Sequence, residues 1–236
     1  MKEIKSIIFM MTEENIHGRT ILSKLLEFKI PIKCIIVEHK TKYSEKAKNA
    51  LNNNFFNPKK TLDLIKDYDI PINFVLHHNG NECEKILKKY SPDFIILGGT
   101  RLLSKKIIDI AKIGIFNSHP AILPKYKGRD CIGRSILNNE PVGATVHLID
   151  SGIDSGPIII KEEVKISDCE NLIKVRIKVM KKCAELMLKS IIGITFETIN
   201  PTIQDNQKSI EYNEMNDNEI KLVEKKIQDN FLKKIE

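Results

Sequence analysis

The chain has no tryptophan, only 6% aromatic residues, and no apolar run near the roughly 18 residues that a bilayer-spanning helix needs. Insertion into a membrane as a helix is therefore excluded. Its cysteines, Cys34, Cys83, Cys131, Cys169 and Cys183, form no C-x-x-C pair and have no histidine at zinc-ligand spacing. That argues against a disulfide framework and a structural zinc, and the thiols read as reduced. There is also no basic block. Lysines are spread along many segments, so the net charge of +7, from 38 basic against 31 acidic residues, reads as compositional bias. Nucleic acid is disfavoured as a partner, while an anionic substrate stays compatible. The opening MKEIKSIIFMM is charged and then apolar for too short a stretch to be a signal sequence, with no small-residue cleavage site after it. It reads as the first buried strand of a cytoplasmic protein. What remains is a 236-residue chain, 42% apolar and 29% charged, large enough for one sizeable core with a small appendage.

Apolar runs of strand length alternate with helix-period segments from residue 4 to about 120, the pattern of a βαβ chain with a mostly parallel sheet. Strands are expected at Lys5–Met10, Lys33–Glu38, Asn73–His77, Asp93–Leu97 and Ile113–Asn117. Several are continuously apolar, as they are when helices cover both faces of a sheet. Helices are expected at Arg19–Phe28, Ser44–Asn53, Lys59–Lys66, Glu82–Tyr90 and Ser104–Ala111, with prolines at the boundaries. Beyond residue 120 a Pro/Gly loop leads to a short helix at Asp130–Leu137 and strands at Gly143–Ile149 and Pro157–Ile166, able to extend the sheet in mixed orientation. Ser167 to Glu170 forms a capping box, and Ile173, Ile177, Met180, Met187 and Ile191 recur at helical spacing, predicting a long helix to about Leu188. A short strand at Thr195–Ile199 and a charged helix from about Asn218 to Lys234 complete the reading. Residues 1–192 are thus expected as one domain and 193–236 as a short C-terminal extension.

In an open parallel sheet, ligands bind beyond the carboxyl ends of the strands. The candidate loops are Met11–Gly18, His77–Gly80, Gly98–Leu103 and the long loop from Asn117. Asn117 and His119 are i and i+2, so a strand extended through Ser118 would put both on one face. An amide donor beside an imidazole can hold an oxygen that turns negative in a tetrahedral intermediate, with the imidazolium supplying a proton. A nearby carboxylate would raise the histidine's pKa and orient it, and Asp150 and Asp154, in a glycine-containing loop, are the candidates. Spacing alone does not decide this, because N-x-H in a loop is more often turn chemistry.

The stretch Phe116-Asn-Ser-His-Pro-Ala-Ile-Leu-Pro-Lys-Tyr-Lys-Gly128, followed by Gly143-Ala-Thr-Val-His147 and a loop ending Asp154-Ser-Gly-Pro157, resembles the folate-dependent formyltransferase family. Its N-x-H-P-x-x-L-P-x-x-x-G, G-x-T-x-H and D-x-G-P pieces occur here in order, covering about residues 90–165 tightly and the first 90 by architecture. The resemblance implies an α/β, Rossmann-like formyltransferase fold. Asn117 then matches the oxyanion-binding asparagine, His119 the catalytic histidine, and Asp154 the aspartate that assists proton movement. Thr100, Arg101, Leu102 and Leu103 match a segment whose backbone borders the folate pterin, as do Asp150, Ser151, Gly152, Ile153 and Asp154 on its other side. His147 reads as a structural strand histidine beside the site, and Gly128 and Pro120 as shapers of the loop.

Two departures bear on the acceptor. The glycinamide ribonucleotide enzymes of the family cradle a phosphate on a Gly-rich turn after the first strand, where this chain has Met11-Thr-Glu-Glu-Asn-Ile-His17-Gly18. Glu13 and Glu14 would repel a phosphate there, whereas Thr12, Asn15 and His17 as hydrogen-bonding side chains, together with the two carboxylates, suit hydroxyls and an ammonium group. The methionyl-tRNA enzymes carry a further β-barrel domain, and only about 70 residues follow Lys165 here. The expectation is metal-free transfer of a formyl group from 10-formyltetrahydrofolate to a small-molecule amine, with an amino sugar on a nucleotide favoured as acceptor. A homodimer is compatible with this. The alternatives are formylation of glycinamide ribonucleotide or methionyl-tRNA, hydrolysis of the folate donor, and a non-catalytic nucleotide-binding module.

Overall fold

The computed structural model describes residues 6–13, 15–39 and 59–232. The expected helix Ser44–Asn53 and the loop residue Glu14 lie outside the described residues. The chain divides into two compact units, residues 1–117 with 195–197, and residues 118–194 with 198–236.

The first unit is built on parallel strands β1 (Ile7–Thr12), β2 (Ile32–Glu38), β3 (Ile72–Val75), β4 (Phe94–Leu97) and β5 (Gly114–His119), in the order β3-β2-β1-β4-β5. β5 runs on into the second unit at Ser118 and His119. The runs IIFMM of β1 and FIIL of β4 are buried throughout, which is why they read as continuous apolar stretches rather than as alternation. The strand order reverses between β1 and β4, the switch point at which open α/β sheets leave a crevice beyond the carboxyl ends. Helix α1 (Ile16–Glu27) starts there, burying Ile21, Leu22, Leu25 and Leu26 along one face. Its Gly18 is packed so tightly that a Cβ would lie 2.2 Å from the Gly98 carbonyl oxygen. The remaining helices of this unit are α2 (Thr61–Ile65), α3 (Asn81–Tyr90) and α4 (Lys105–Ile108). α3 stops where Ser91 turns left-handed (φ 45°) ahead of Pro92, its N–H on Leu87 O.

The second unit contains β6 (Tyr126–Gly128), α5 (Cys131–Leu137), β7 (Gly143–Leu148), β8 (Ile158–Glu163), α6 (Leu172–Thr195), β9 (Ile210–Tyr212) and α7 (Asp217–Leu232). β7 and β8 are antiparallel, with a register shift between Val146 and His147. Three details differ from the sequence reading. α6 begins at Leu172, because Asn171 rather than Ser167 caps it, accepting the Lys174 N–H at 2.9 Å. Its core face is Leu172, Val175, Val179, Cys183 and Leu186, joined by Met187 and Ile191, while Ile173 is exposed. Thr195 ends this helix, so no strand forms at Thr195–Ile199; the strand of this region is β9, paired parallel with β6. α7 buries Val223 and Ile227, and Arg134 of α5 forks onto its Glu219.

Candidate active site

β5 stays extended through Ser118 to His119, the condition under which Asn117 and His119 share a face. His119 is 4% exposed. Its Nε2 lies 2.8 Å from the Tyr126 carbonyl oxygen of β6, and its Nδ1 lies 3.3 Å from Asp154 Oδ2. A carbonyl oxygen only accepts, so Nε2 is assigned the hydrogen, leaving Nδ1 as the basic nitrogen aimed at the carboxylate. Protonation of the ring therefore places its second N–H on Asp154.

The carboxylate is shared. Asp154 Oδ2 also accepts the Gly128 N–H at 2.9 Å, and Oδ1 lies 3.5 Å from His147 Nε2, whose Nδ1 faces Leu148 O at 2.8 Å. His147 reaches this position from the irregular step in β7, a strand histidine beside the site as its place in G-x-T-x-H implies.

Electrostatics correct one expectation. Burial pulls the His119 pKa below its ordinary value, and Asp154 only partly offsets this, so the ring is neutral at rest rather than a standing imidazolium. Burial alone would raise Asp154, but the hydrogen bond from His147, the charge that His119 takes on in acid and the Gly128 N–H bring it down to about 2. The resulting element is an ionised carboxylate between two imidazoles, ready to stabilise a proton on His119. Asp154 holds this position at φ 47°, a left-handed conformation that L-residues adopt at some cost. The loop before it is braced internally: Asp150 Oδ1 accepts the Gly152 N–H at 3.0 Å and the Ser155 hydroxyl at 2.6 Å, with Ser151 and Ile153 between.

In the first unit, the segment Thr100–Leu103 follows β4. Leu102 is 69% exposed, and the segment's backbone is fixed by Asn79, which donates to Leu102 O at 3.0 Å and accepts the Ser104 N–H at 2.7 Å. Arg101 Nε donates to Oε1 of the fully buried Glu38, whose Oε2 accepts the His78 N–H at 2.8 Å. Burial alone would raise the Glu38 pKa, but these two donors hold it below the usual carboxylate range. Glu38, His78 and Asn79 are supports that sequence reading did not single out, because they converge from separate strand ends. At the β1–α1 turn, Asn15 caps α1 by accepting the Gly18 N–H at 3.1 Å, and the Thr12 hydroxyl donates to Gly99 O. Glu13 lies 2.6 Å from His39 Nδ1. His17 sits in the first turn of α1, half-buried. Among the described residues there is no cluster of His, Cys, Asp and Glu able to hold a metal.

The family model for formyl transferases matches residues 5–191. The chain belongs to the formyl transferase family. A methionyl-tRNA formyltransferase from Clostridium tetani (strain Massachusetts / E88) is 39% identical over 130 residues, 54% of this chain and 42% of that one, so the chain matches under half of this relative's length. Among solved structures, glycinamide ribonucleotide transformylase 1 from Symbiobacterium toebii is similar with a TM-score of 0.66 at 17% identity, covering 86% of this chain and 95% of that one. The N-formyltransferase from Helicobacter canadensis, in complex with folinic acid and dTDP-3-aminofucose, is similar with a TM-score of 0.61 at 22% identity, covering 99% and 83%. These two likenesses establish the α/β, Rossmann-like formyltransferase fold. Among the described residues, no helix is long and apolar enough to cross a membrane.

Proposed function

We propose that this chain transfers a formyl group from 10-formyltetrahydrofolate to a primary amine, with Asn117, His119 and Asp154 carrying the chemistry. The observation that supports this most is the His119–Asp154 contact at 3.3 Å, inside the N-x-H-P and D-x-G-P motifs of a formyl transferase chain. The amine nitrogen attacks the formyl carbon, and the carbonyl electron pair moves onto oxygen. Asn117 stabilises that oxyanion. Neutral His119 accepts the proton shed by the attacking nitrogen, and Asp154 balances the imidazolium that forms. Collapse breaks the bond to folate N10, which takes up that proton from the imidazolium as it leaves, giving the formamide and tetrahydrofolate and restoring neutral His119. By resemblance, Thr100 to Leu103 and Asp150 to Asp154 are the segments assigned to the folate.

The acceptor we favour is an amino sugar on a nucleotide. Asn15 occupies the amide donor at the start of α1, and Glu13 adds a carboxylate to the same turn, which makes a poor phosphate cradle. Thr12, Asn15 and His17 are the side chains assigned to this acceptor. A second reading, methionyl-tRNA, is favoured by the 39% identity to the clostridial relative. Incubation with 10-formyltetrahydrofolate and, separately, a nucleotide-linked amino sugar, glycinamide ribonucleotide or methionyl-tRNA, following tetrahydrofolate release, tests both levels. Formylation of the sugar alone is expected. Efficient formylation of either other amine overturns the acceptor assignment, and turnover of the folate by water alone, or none at all, overturns the transfer itself.

A further inference from the structure

The stretch from Thr198 to Tyr212, for which the sequence suggested no role, grips both loops that hold His119 and Asp154. Thr202 exchanges two backbone hydrogen bonds with Ile158, at 2.8 and 2.7 Å, fixing the stretch to the start of β8. Two residues on, Gln204 is 7% exposed, and its Nε2 donates to the carbonyl oxygens of Asp154 at 2.9 Å and Gly156 at 2.6 Å. Both partners are acceptors, so the place calls for a group that donates twice, which the Gln204 amide NH2 supplies. Asp154 is the left-handed residue whose carboxylate His119 needs, and its backbone is thus pinned from a segment fifty positions away.

β9 then pairs in register with β6, Tyr126 with Ile210 and Gly128 with Tyr212, and Arg129 N–H donates to Tyr212 O at 2.8 Å. The fit is close: Gly128 has φ 85°, and a Cβ there would meet Tyr212 O at 2.4 Å. β6 supplies the Tyr126 carbonyl that holds His119 Nε2 and the Gly128 N–H that holds Asp154 Oδ2.

We infer that Gln204 is a positioning residue for the proposed formyl transfer, acting through the Asp154 backbone, and that this stretch belongs to the catalytic architecture. The inference rests on the reading of His119 and Asp154 as catalytic. Gln204→Met keeps length and volume but removes both donors, freeing Asp154 to leave its left-handed conformation. The carboxylate then drifts from His119. Its kcat is expected to fall on the order of 10–100-fold, as for small misplacements of a reacting group. The KM values for folate and amine should stay within about twofold of the parent. Because Asp154 raises the His119 pKa, the acid limb of the kcat–pH profile should move to lower pH, a shift that simple loss of folded protein would not produce.

Gln204→Glu is the second variant, used alongside and decisive if the Met variant does not fold. Protonated, its carboxyl restores one donor; ionised, it opposes two carbonyls. Its kcat should therefore be nearer the parent at low pH and fall as pH rises. His119→Ala is measured in parallel with the same amine. If His119→Ala abolishes turnover while the Gln204 variants keep the parent's kcat and pH profile, the inference is overturned and the functional reading stands. If His119→Ala itself retains the parent rate, the functional reading fails and takes the inference with it.

Discussion

Asp154 faces a separate imidazole with each carboxylate oxygen, and its loss should be distinguishable from loss of either ring. His119→Ala is expected to remove nearly all turnover, and Asn117→Ala to cost on the order of 10²–10³ in kcat, the usual loss for one oxyanion donor. Asp154→Asn keeps the shape but deletes the charge that raises the His119 pKa, so the His119 titration, followed by ring-carbon NMR, should move further to acid. An unmoved titration would show that the 3.3 Å contact carries no electrostatic weight. The strand placement of Asn117 and His119 and the meeting of His119 with Asp154 were legible in the sequence because the motifs keep the first two at strand spacing and the third just ahead of Gly156-Pro157. The protonation state was not legible. Proximity to a carboxylate argues for a raised pKa, and only the burial of the ring, visible in three dimensions, reverses the direction.

The β1–α1 turn shows what an element can carry. Gly18→Ala puts a methyl into the Gly98 carbonyl, backbone against backbone, and should destabilise by about 1–3 kcal/mol, as overpacking does. Asn15→Ala removes the cap and should cost about 1 kcal/mol, whereas Asn15→Ser should retain most of it. Urea unfolding measures both, and a Gly18→Ala midpoint equal to the parent's would contradict the close approach. Elements of the first unit were legible because buried parallel strands are continuous apolar runs and prolines mark their ends. α6 was misphased because it carries apolar residues on more than one face, so periodicity alone could not choose between the row through Val175 and Val179 and the row through Ile173 and Ile177. β6 and β9 were missed for another reason. Each spans only Tyr126–Gly128 or Ile210–Tyr212, too short to leave an alternation, and each is defined by its distant partner.

For the molecule as a whole, burial of ionisable groups sets the response to acid. His119 and His78 are both pulled below the ordinary histidine value of 6.5 in the fold, so as pH falls through 6.5 the unfolded chain takes up protons that the folded chain refuses. Stability present at neutral pH is therefore lost from about pH 6.5 downward. Asp154, at about 2 against 3.8, adds stability that is full above 3.8 and disappears only as pH falls through 2. The urea midpoint is expected to drop between pH 7.5 and 5.5, and a flat midpoint over that range would refute the assignment of neutral buried histidines.

The pairing of β6 with β9 also has a consequence in time. A ribosome releases β6 into solution long before it makes Ile210 to Tyr212, and chains acquire structure progressively as they emerge. Until β9 arrives, the segment carrying the Tyr126 carbonyl and the Gly128 N–H has an open edge and no Tyr212 ring stacked on Tyr126. The nascent polypeptide can thus complete its β1 to β5 scaffold while its histidine–aspartate pair is still unset, and that pair is fixed only after the residues of β9 have emerged.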